Sequence, residues 1–351
     1  MGTKLRITTR KIFALAACLT LILLYHFSNP NPSDIVIRLH ADQIDIQKLT
    51  NAIAGIIIEK GYGYKVEKVE STIKEVHGRL IRGDIDITLE MWKANNLVWY
   101  DNARNQGRIV DLGSIYSQGR QYWIIPRWYA EEKGVKTVFD MKAHWQDFMD
   151  PEDPSKGLFF NCIYGWACRD INRVKLAAYG LDRYFNTVSP TSPKALKSIY
   201  ESARARRLPV FGYYWEPNAL MTNQDWYRLE EPDYSEAVWR DVIESAATPG
   251  GEPLPVACAY NTNTVHKIAH SRLMKKAPDV VDMFKKMEIP VQLFNDILFK
   301  REQLPGDTDG FRETALFFLD QYREQWGGWV TPEVQEKLEK YISRPWNRVP
   351  E

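Results

Sequence analysis

The stretch that opens at Ile35-Val36-Ile37-Arg38-Leu39-His40 and closes at Ile85-Asp86-Ile87-Thr88-Leu89-Glu90-Met91-Trp92 holds three strand-like runs and two helical ones. The first and last runs are quoted; the middle one is Tyr64-Lys65-Val66-Glu67-Lys68-Val69. From Asp45 to Lys60 the apolar residues Leu49, Ile53, Ile56 and Ile57 recur near helical spacing, with Gly61 as the stop. From Ser71 to Arg82 a second helix is predicted, with Ser71 as its N-cap and Gly83 after its end. Strand, helix, strand, helix, strand predicts an α/β fold with a doubly wound, largely parallel sheet. Ligands of such sheets sit beyond the carboxyl ends of the strands, where Trp92 stands.

Downstream the alternation continues. Gln121-Tyr122-Trp123-Ile124-Ile125-Pro126 is extended, and a helical patch follows near Trp128–Lys133. The Pro-rich segment from Met149 to Gly157 reads as a surface loop. A second α/β unit runs from Leu158 to about Ala246. In it the strand-like Leu208-Pro209-Val210-Phe211 precedes Gly212-Tyr213-Tyr214-Trp215-Glu216-Pro217. After the breaker Thr248-Pro249-Gly250-Gly251-Glu252-Pro253 comes a strand-like run from Val256 to Tyr260. Helices are predicted over Pro278 to Lys286, Gln292 to Phe299 and Thr308 to Trp326. No internal repeat is present.

The chemistry concentrates in Asn161-Cys162-Ile163-Tyr164-Gly165-Trp166-Ala167-Cys168-Arg169-Asp170. A helix-forming run starts just there, so free backbone N–H groups at the helix start offer an anion site beside a tryptophan face. A ligand with a carboxylate at one end and a bulky cation at the other suits both halves. Trp92 and Trp215 are candidates for the same pocket. Beside Trp215, Tyr213 or Tyr214 is an alternative wall.

With 351 residues, 44% of them hydrophobic, the chain is long enough for two domains or one two-lobed domain. Its net charge is +1, with Lys4, Arg6, Arg10 and Lys11 at the N-terminus and a mildly acidic remainder. No basic run interleaves with aromatics, which argues against a nucleic-acid partner. The 12 Trp and 18 Tyr suit recognition by ring faces. The four N-terminal cations precede an apolar run from Ile12 to Phe27 and a polar, Pro-rich spacer. Residues 1–33 thus read as a signal peptide or an N-terminal membrane anchor. Leu15-Ala16-Ala17-Cys18 looks like a lipoprotein box, but the apolar run continues past Cys18, so an anchor is preferred to lipidation. Either way the body is placed outside the cytoplasmic membrane. In an oxidising compartment Cys162 and Cys168 are expected to form a disulfide that stiffens the Gly165-Trp166 turn. Cys258 reads as a small core residue.

Blander or competing readings stand beside these. An isolated tryptophan at a strand end is more often core; the constellation of three reverses that reading. Glu90 and Glu216, each near a candidate tryptophan, fit the acid/base pair of a glycosidase, but surface or hinge carboxylates are commoner. His266 and His270 have helical i,i+4 spacing without an evident third ligand, so no metal is expected. No cofactor motif and no nucleophile elbow are present. A non-enzyme is expected.

Cys162…Gly165-Trp166…Cys168 followed by Lys175-Leu176-Ala177-Ala178-Tyr179-Gly180-Leu181 resembles the extracytoplasmic glycine betaine-binding proteins of ABC transporters. So do Gly83-Asp84-Ile85-Asp86-Ile87-Thr88-Leu89-Glu90-Met91-Trp92, Tyr213-Tyr214-Trp215-Glu216-Pro217 and the run from Asp225 to Pro232. The resemblance spans roughly residues 35–330. It implies a type II periplasmic-binding fold: two α/β lobes joined by two crossover segments. Lobe one is then expected over 34–120 plus 255–351, and lobe two over 124–250. It also implies an aromatic cage of Trp92, Trp166 and Trp215. The ligand carboxylate is implied to rest on the backbone N–H groups of Cys162, Gly165, Trp166 and Cys168. Asn96 replaces a histidine that helps hold the carboxylate in some members. The implied partners are a small quaternary amine and an ABC permease. The alternative function is a membrane-anchored ligand sensor or adaptor of the same fold.

Overall fold

The computed structural model describes residues 31–344 except 223, 249, 251–252 and 304–309, and leaves the side chains at 74, 302 and 303 undescribed. The apolar run from Ile12 to Phe27 lies outside the described residues. Among them, no helix is long and apolar enough to cross a membrane.

β1 (Val36–Ala41) is the centre of the first strand group. It pairs in parallel with β2 (Lys65–Glu70), Val36 opposite Lys65, and with β3 (Ile87–Trp92), Leu39 opposite Ile87. Ile37 and Leu39 are fully buried, as a strand flanked on both sides requires. The helix Asp45–Ile56 buries Leu49, Ile53 and Ala54 and runs on as a π-helical segment, Ile57–Tyr62. Gly61 therefore does not stop the helix. A side chain there would meet Val334 Cγ1 at 2.6 Å, so this glycine admits the helix Pro332–Ile342. The stop is Gly63, at φ 84°. In the next helix, Ile73–Arg82, the N-cap is Thr72 rather than Ser71. Thr72 and Glu75 form a reciprocal capping box, whereas the residue three after Ser71 is Lys74, which cannot return the bond. Gly83 closes the helix at φ 80°.

The sheet is mixed, with strand order β2-β1-β3-β9-β4-β7-β5-β6 and β8 paired to β4. β9 (Asn263–His270) lies antiparallel between β3 and β4. β4 (Ile109–Pro126) is long enough to serve both halves. Its first part pairs β9 as far as Gly119 opposite Asn263. Its second part pairs β7 (Phe211–Glu216) from Arg120 opposite Glu216, and then β8 (Trp226–Arg228). β5 (Gly157–Phe160) continues in parallel to β7 and to β6 (Phe185–Val188). The chain crosses between the two groups along β4 and again between the helix Glu236–Ala247 and β9. These are the two α/β lobes and two crossovers of a type II periplasmic-binding fold.

Several elements differ from their sequence reading. Val256 to Tyr260 forms no strand; Pro253 and Pro255 interrupt the ladder there, and β9 starts at Asn263. His266 and His270 therefore lie on a strand, not a helix. His266 Nδ1 is 2.9 Å from Asp111 Oδ1, and His270 Nδ1 accepts the Arg272 amide. Among the described residues no group of His, Cys, Asp or Glu is arranged to hold a metal ion. The strand predicted from Leu208 begins only at Phe211, past Pro209, and runs through the aromatic β-formers to Glu216, so Trp215 is inside it. The C-terminal helix predicted from Thr308 is, where described, two helices, Gly310–Gln321 and Arg323–Gly327, broken at Tyr322. Cys258 is 2% exposed, a core residue.

Candidate ligand site

The site lies where β4 passes from one strand group to the other. Trp92, the last residue of β3, lays its ring on Gly119: a Cβ there would meet Trp92 Cη2 at 3.0 Å. The turn after Trp92 brings Asn95 and Asn96. From β4 comes Gln121, the register partner of Trp215. From β7 come Tyr213 and Trp215, two apart and so on one face. Trp166 caps the helix Ala167–Ala178, whose first two residues complete the wall.

These groups surround a cavity of about 30 Å³, with Ile44 and Ile73 at its edge. The cavity shares Ile44 and Trp215 with a cleft of about 690 Å³, which also takes in Asp42, Lys194, Tyr214 and Phe311. Trp166 and Trp215 meet edge to face, centroids 5.3 Å apart at 73°. Tyr213 lies nearly parallel to Trp215 at 6.1 Å. Its hydroxyl donates to Gln121 Oε1 at 3.0 Å, and Gln121 and Asn95 exchange amide hydrogen bonds. The polar floor is thus tied down within itself.

The loop from Asn161 to Cys168 is built around Gly165, which takes φ 91°, and around the Cys162–Cys168 disulfide. Asn161 Oδ1 accepts the Cys162 N–H at 2.6 Å and the Asn172 side-chain amide at 2.9 Å. The Trp166 N–H donates to Ile163 O at 3.1 Å. Ala167 and Cys168 are the first two helical residues, and the N-cap Trp166 gives them no side-chain cap, nor does any other side chain among the described residues. Their N–H groups are orphan donors with the positive end of the helix dipole behind them.

Of the residues singled out in the sequence, Trp92, Asn96, Trp166, Cys168, Tyr213 and Trp215 line this one cavity. Cys162, Gly165 and Tyr214 do not. The Cys162 and Trp166 N–H groups are satisfied inside the loop. Tyr214 points to the other side of β7, its hydroxyl donating to Asn218 Oδ1 at 3.2 Å. The Asn96 amide donates to Trp92 O at 2.9 Å, bracing the turn. Reading the sequence missed Ala167, Gln121, Asn95, Ile44 and Ile73. Ala167 was findable, as the first helical residue after Trp166. Gln121 carries no signal, because only strand register sets it opposite Trp215.

Carboxyls stand behind two of the walls. Burial pushes Glu90 up to about 7, although the Tyr116 hydroxyl and the Trp92 indole both hydrogen-bond to it. Burial also raises Asp42, against hydrogen bonds from the Gln43 amide and the Trp166 side chain. Glu216 is instead paired with Arg228 at 2.7 Å and lies outside the cavity.

The model of the substrate-binding domain of ABC-type glycine betaine transport systems matches residues 37–307. Among solved structures, the glycine betaine, L-proline ABC transporter binding protein ProX of Borrelia burgdorferi is similar at 16% identity and a TM-score of 0.69, over 86% of this chain and 99% of that one. An ABC-transporter choline-binding protein in complex with choline is similar at 17% identity and 0.67, over 88% and 98%. Lactococcal OpuAC in its closed form with glycine betaine is similar at 12% identity and 0.65, over 85% and 100%. The matched core and the shared fold make one statement: this chain belongs to the family of substrate-binding domains of ABC-type glycine betaine transport systems.

Proposed function

We propose that this protein captures glycine betaine or a related quaternary amine in the Trp92–Trp166–Trp215 cage and delivers it to an ABC permease. The carrying observation is convergence: three tryptophans from segments far apart in sequence line one cavity, beside the two orphan N–H groups of Ala167 and Cys168. A trimethylammonium has no N–H to donate and spreads its charge over methyl groups. Ring faces give it apolar contact and quadrupole attraction together. Each desolvated contact is worth about 2 kcal/mol, so three approach the ~8 kcal/mol of micromolar binding. A ligand carboxylate then lies on the helix start, where N–H groups and dipole both favour an anion.

The lobe limits we assign are 34–120 plus 255–351 and 124–250, so that lobe one brings Trp92 and lobe two Trp166 and Trp215. Ligand bridging the two holds them together. Residues 1–33 carry the body across the membrane, as a signal or as an anchor. Isothermal titration of the purified protein with glycine betaine, choline and carnitine is the test. Micromolar or tighter binding of at least one is expected; no heat from any of the three would overturn the assignment.

A further inference from the structure

Glu90 lies two residues before Trp92 on β3, on the same face of the strand. It is 1% exposed. Oε1 accepts both the Trp92 indole N–H, at 2.9 Å, and the Tyr116 hydroxyl. Oε2 is buried without a hydrogen-bond partner among the described residues. The groups that act on it are Tyr116 from β4, Trp92 from its own strand and Asp42 after β1. Beyond Tyr116 stand Tyr213 from β7 and the uncharged ring of Phe294. No lysine, arginine or histidine is among these groups.

A buried carboxyl with one bare oxygen is costly, and a glutamine or an apolar residue in its place would be cheaper. Its position is informative: directly behind a cage wall, bonded to that wall's indole. A negative charge there adds Coulombic attraction for a cation in front of the ring, little screened by water. For a zwitterion the same charge repels the far end, so the net gain is smaller.

We propose that Glu90 is the charge switch of the cage: ionised, it strengthens the Trp92 wall for a quaternary ammonium and favours ligands of net positive charge over zwitterions; protonated, it only fixes the ring. This rests on the quaternary-amine reading above. Glu90 is a positioning residue, acting through Trp92 rather than by touching ligand. Because it titrates near 7, the switch falls within an ordinary assay range.

The test is the Kd of choline and of glycine betaine at pH 6, 7 and 8, for the wild type, Glu90→Gln and Tyr116→Phe. Wild-type choline binding should tighten by about fivefold from pH 6 to pH 8, and glycine betaine binding by less. Glu90→Gln keeps an oxygen to accept the Trp92 N–H, so the ring stays in place. Its choline affinity should stay flat at the wild-type pH 6 level. Tyr116→Phe removes a hydrogen bond that favours the ionised form, so the midpoint should move to higher pH. The proposal is overturned if wild-type choline binding does not respond to pH, or if Glu90→Gln keeps the wild-type slope. The two-ligand comparison on the wild type needs no variant, so it decides even where Glu90→Gln folds poorly. Both ligands binding without pH dependence sinks the Glu90 proposal alone. Neither binding at any pH sinks the quaternary-amine reading with it.

Discussion

Trp166 and Trp215 meet edge to face at 5.3 Å, one from a helix start and the other from inside β7. Their contact makes a right-angled corner, and Tyr213 backs one side of it at 6.1 Å from Trp215. A corner of two ring faces suits a roughly spherical cation, which touches both at once. Each ring also supports the other, so neither truncation is purely local.

Trp166→Ala should weaken quaternary-amine binding by about 2 kcal/mol, close to thirtyfold in Kd. Calorimetric titration of the variant checks this. Unchanged affinity would remove Trp166 from the cage.

Replacing both Cys162 and Cys168 by serine should lower stability by about 2 kcal/mol, the chain-entropy value for so short a loop. Ligand affinity should fall as well, because Ala167 and Cys168 reach the cavity from the end of this loop. Thermal melts and titrations of the double variant separate the two effects. Lost stability with unchanged affinity would confine the bond to a structural role.

His40 predicts an acid-sensitive fold. Its Nε2 donates to Ser71 O at 2.8 Å, and its Nδ1 lies 2.9 Å from both the Gln47 side-chain amide and Thr88 Oγ1, so a second proton would displace the Gln47 N–H from Nδ1. Burial holds the ring's pKa down to about 4. Below pH 6.5 the unfolded chain takes up a proton that the folded one refuses, so stability is full above that pH. It should be lost as pH falls from about 6.5 to 4, by up to about 3 kcal/mol at 1.4 kcal/mol per unit. Denaturant midpoints at pH 7, 5.5 and 4 measure this. His40→Gln should flatten the slope, though His77, also held down to about 4 by burial, keeps part of it.

Gly212→Ala should destabilise by about 3 kcal/mol or more. The new methyl would overlap Phe160 O on β5 and come within 2.6 Å of the Tyr200 hydroxyl oxygen. Backbone cannot yield there without breaking the β5–β7 ladder. A melting temperature near wild type would show that the strands separate more easily than this packing implies.

Much of the fold was legible because its signals are local. The first βαβαβ unit, the Gly83 stop and the helix after Trp166 each follow from spacing and capping chemistry within a few residues. The failures share a cause. Gly61 looked like a stop because the helix that needs the space, Pro332–Ile342, lies far downstream and is invisible to a local reading. His266 and His270 matched helical spacing because four residues also returns a strand to the same face.

By itself the sequence determined which residue types are candidates for ligand contact: three tryptophans, a glycine-centred turn and a helix start, within a two-lobed α/β chain. Only the tertiary structure decided which of them meet. Strand alternation turns Tyr213 into the cavity and Tyr214 away from it. Hydrogen bonds inside the loop satisfy the Cys162 and Trp166 N–H groups and leave those of Ala167 and Cys168 open. Burial makes Glu90 a group that titrates near neutrality rather than an ordinary surface acid. Register, satisfaction of donors and desolvation all depend on groups distant in the chain, and no local pattern encodes them.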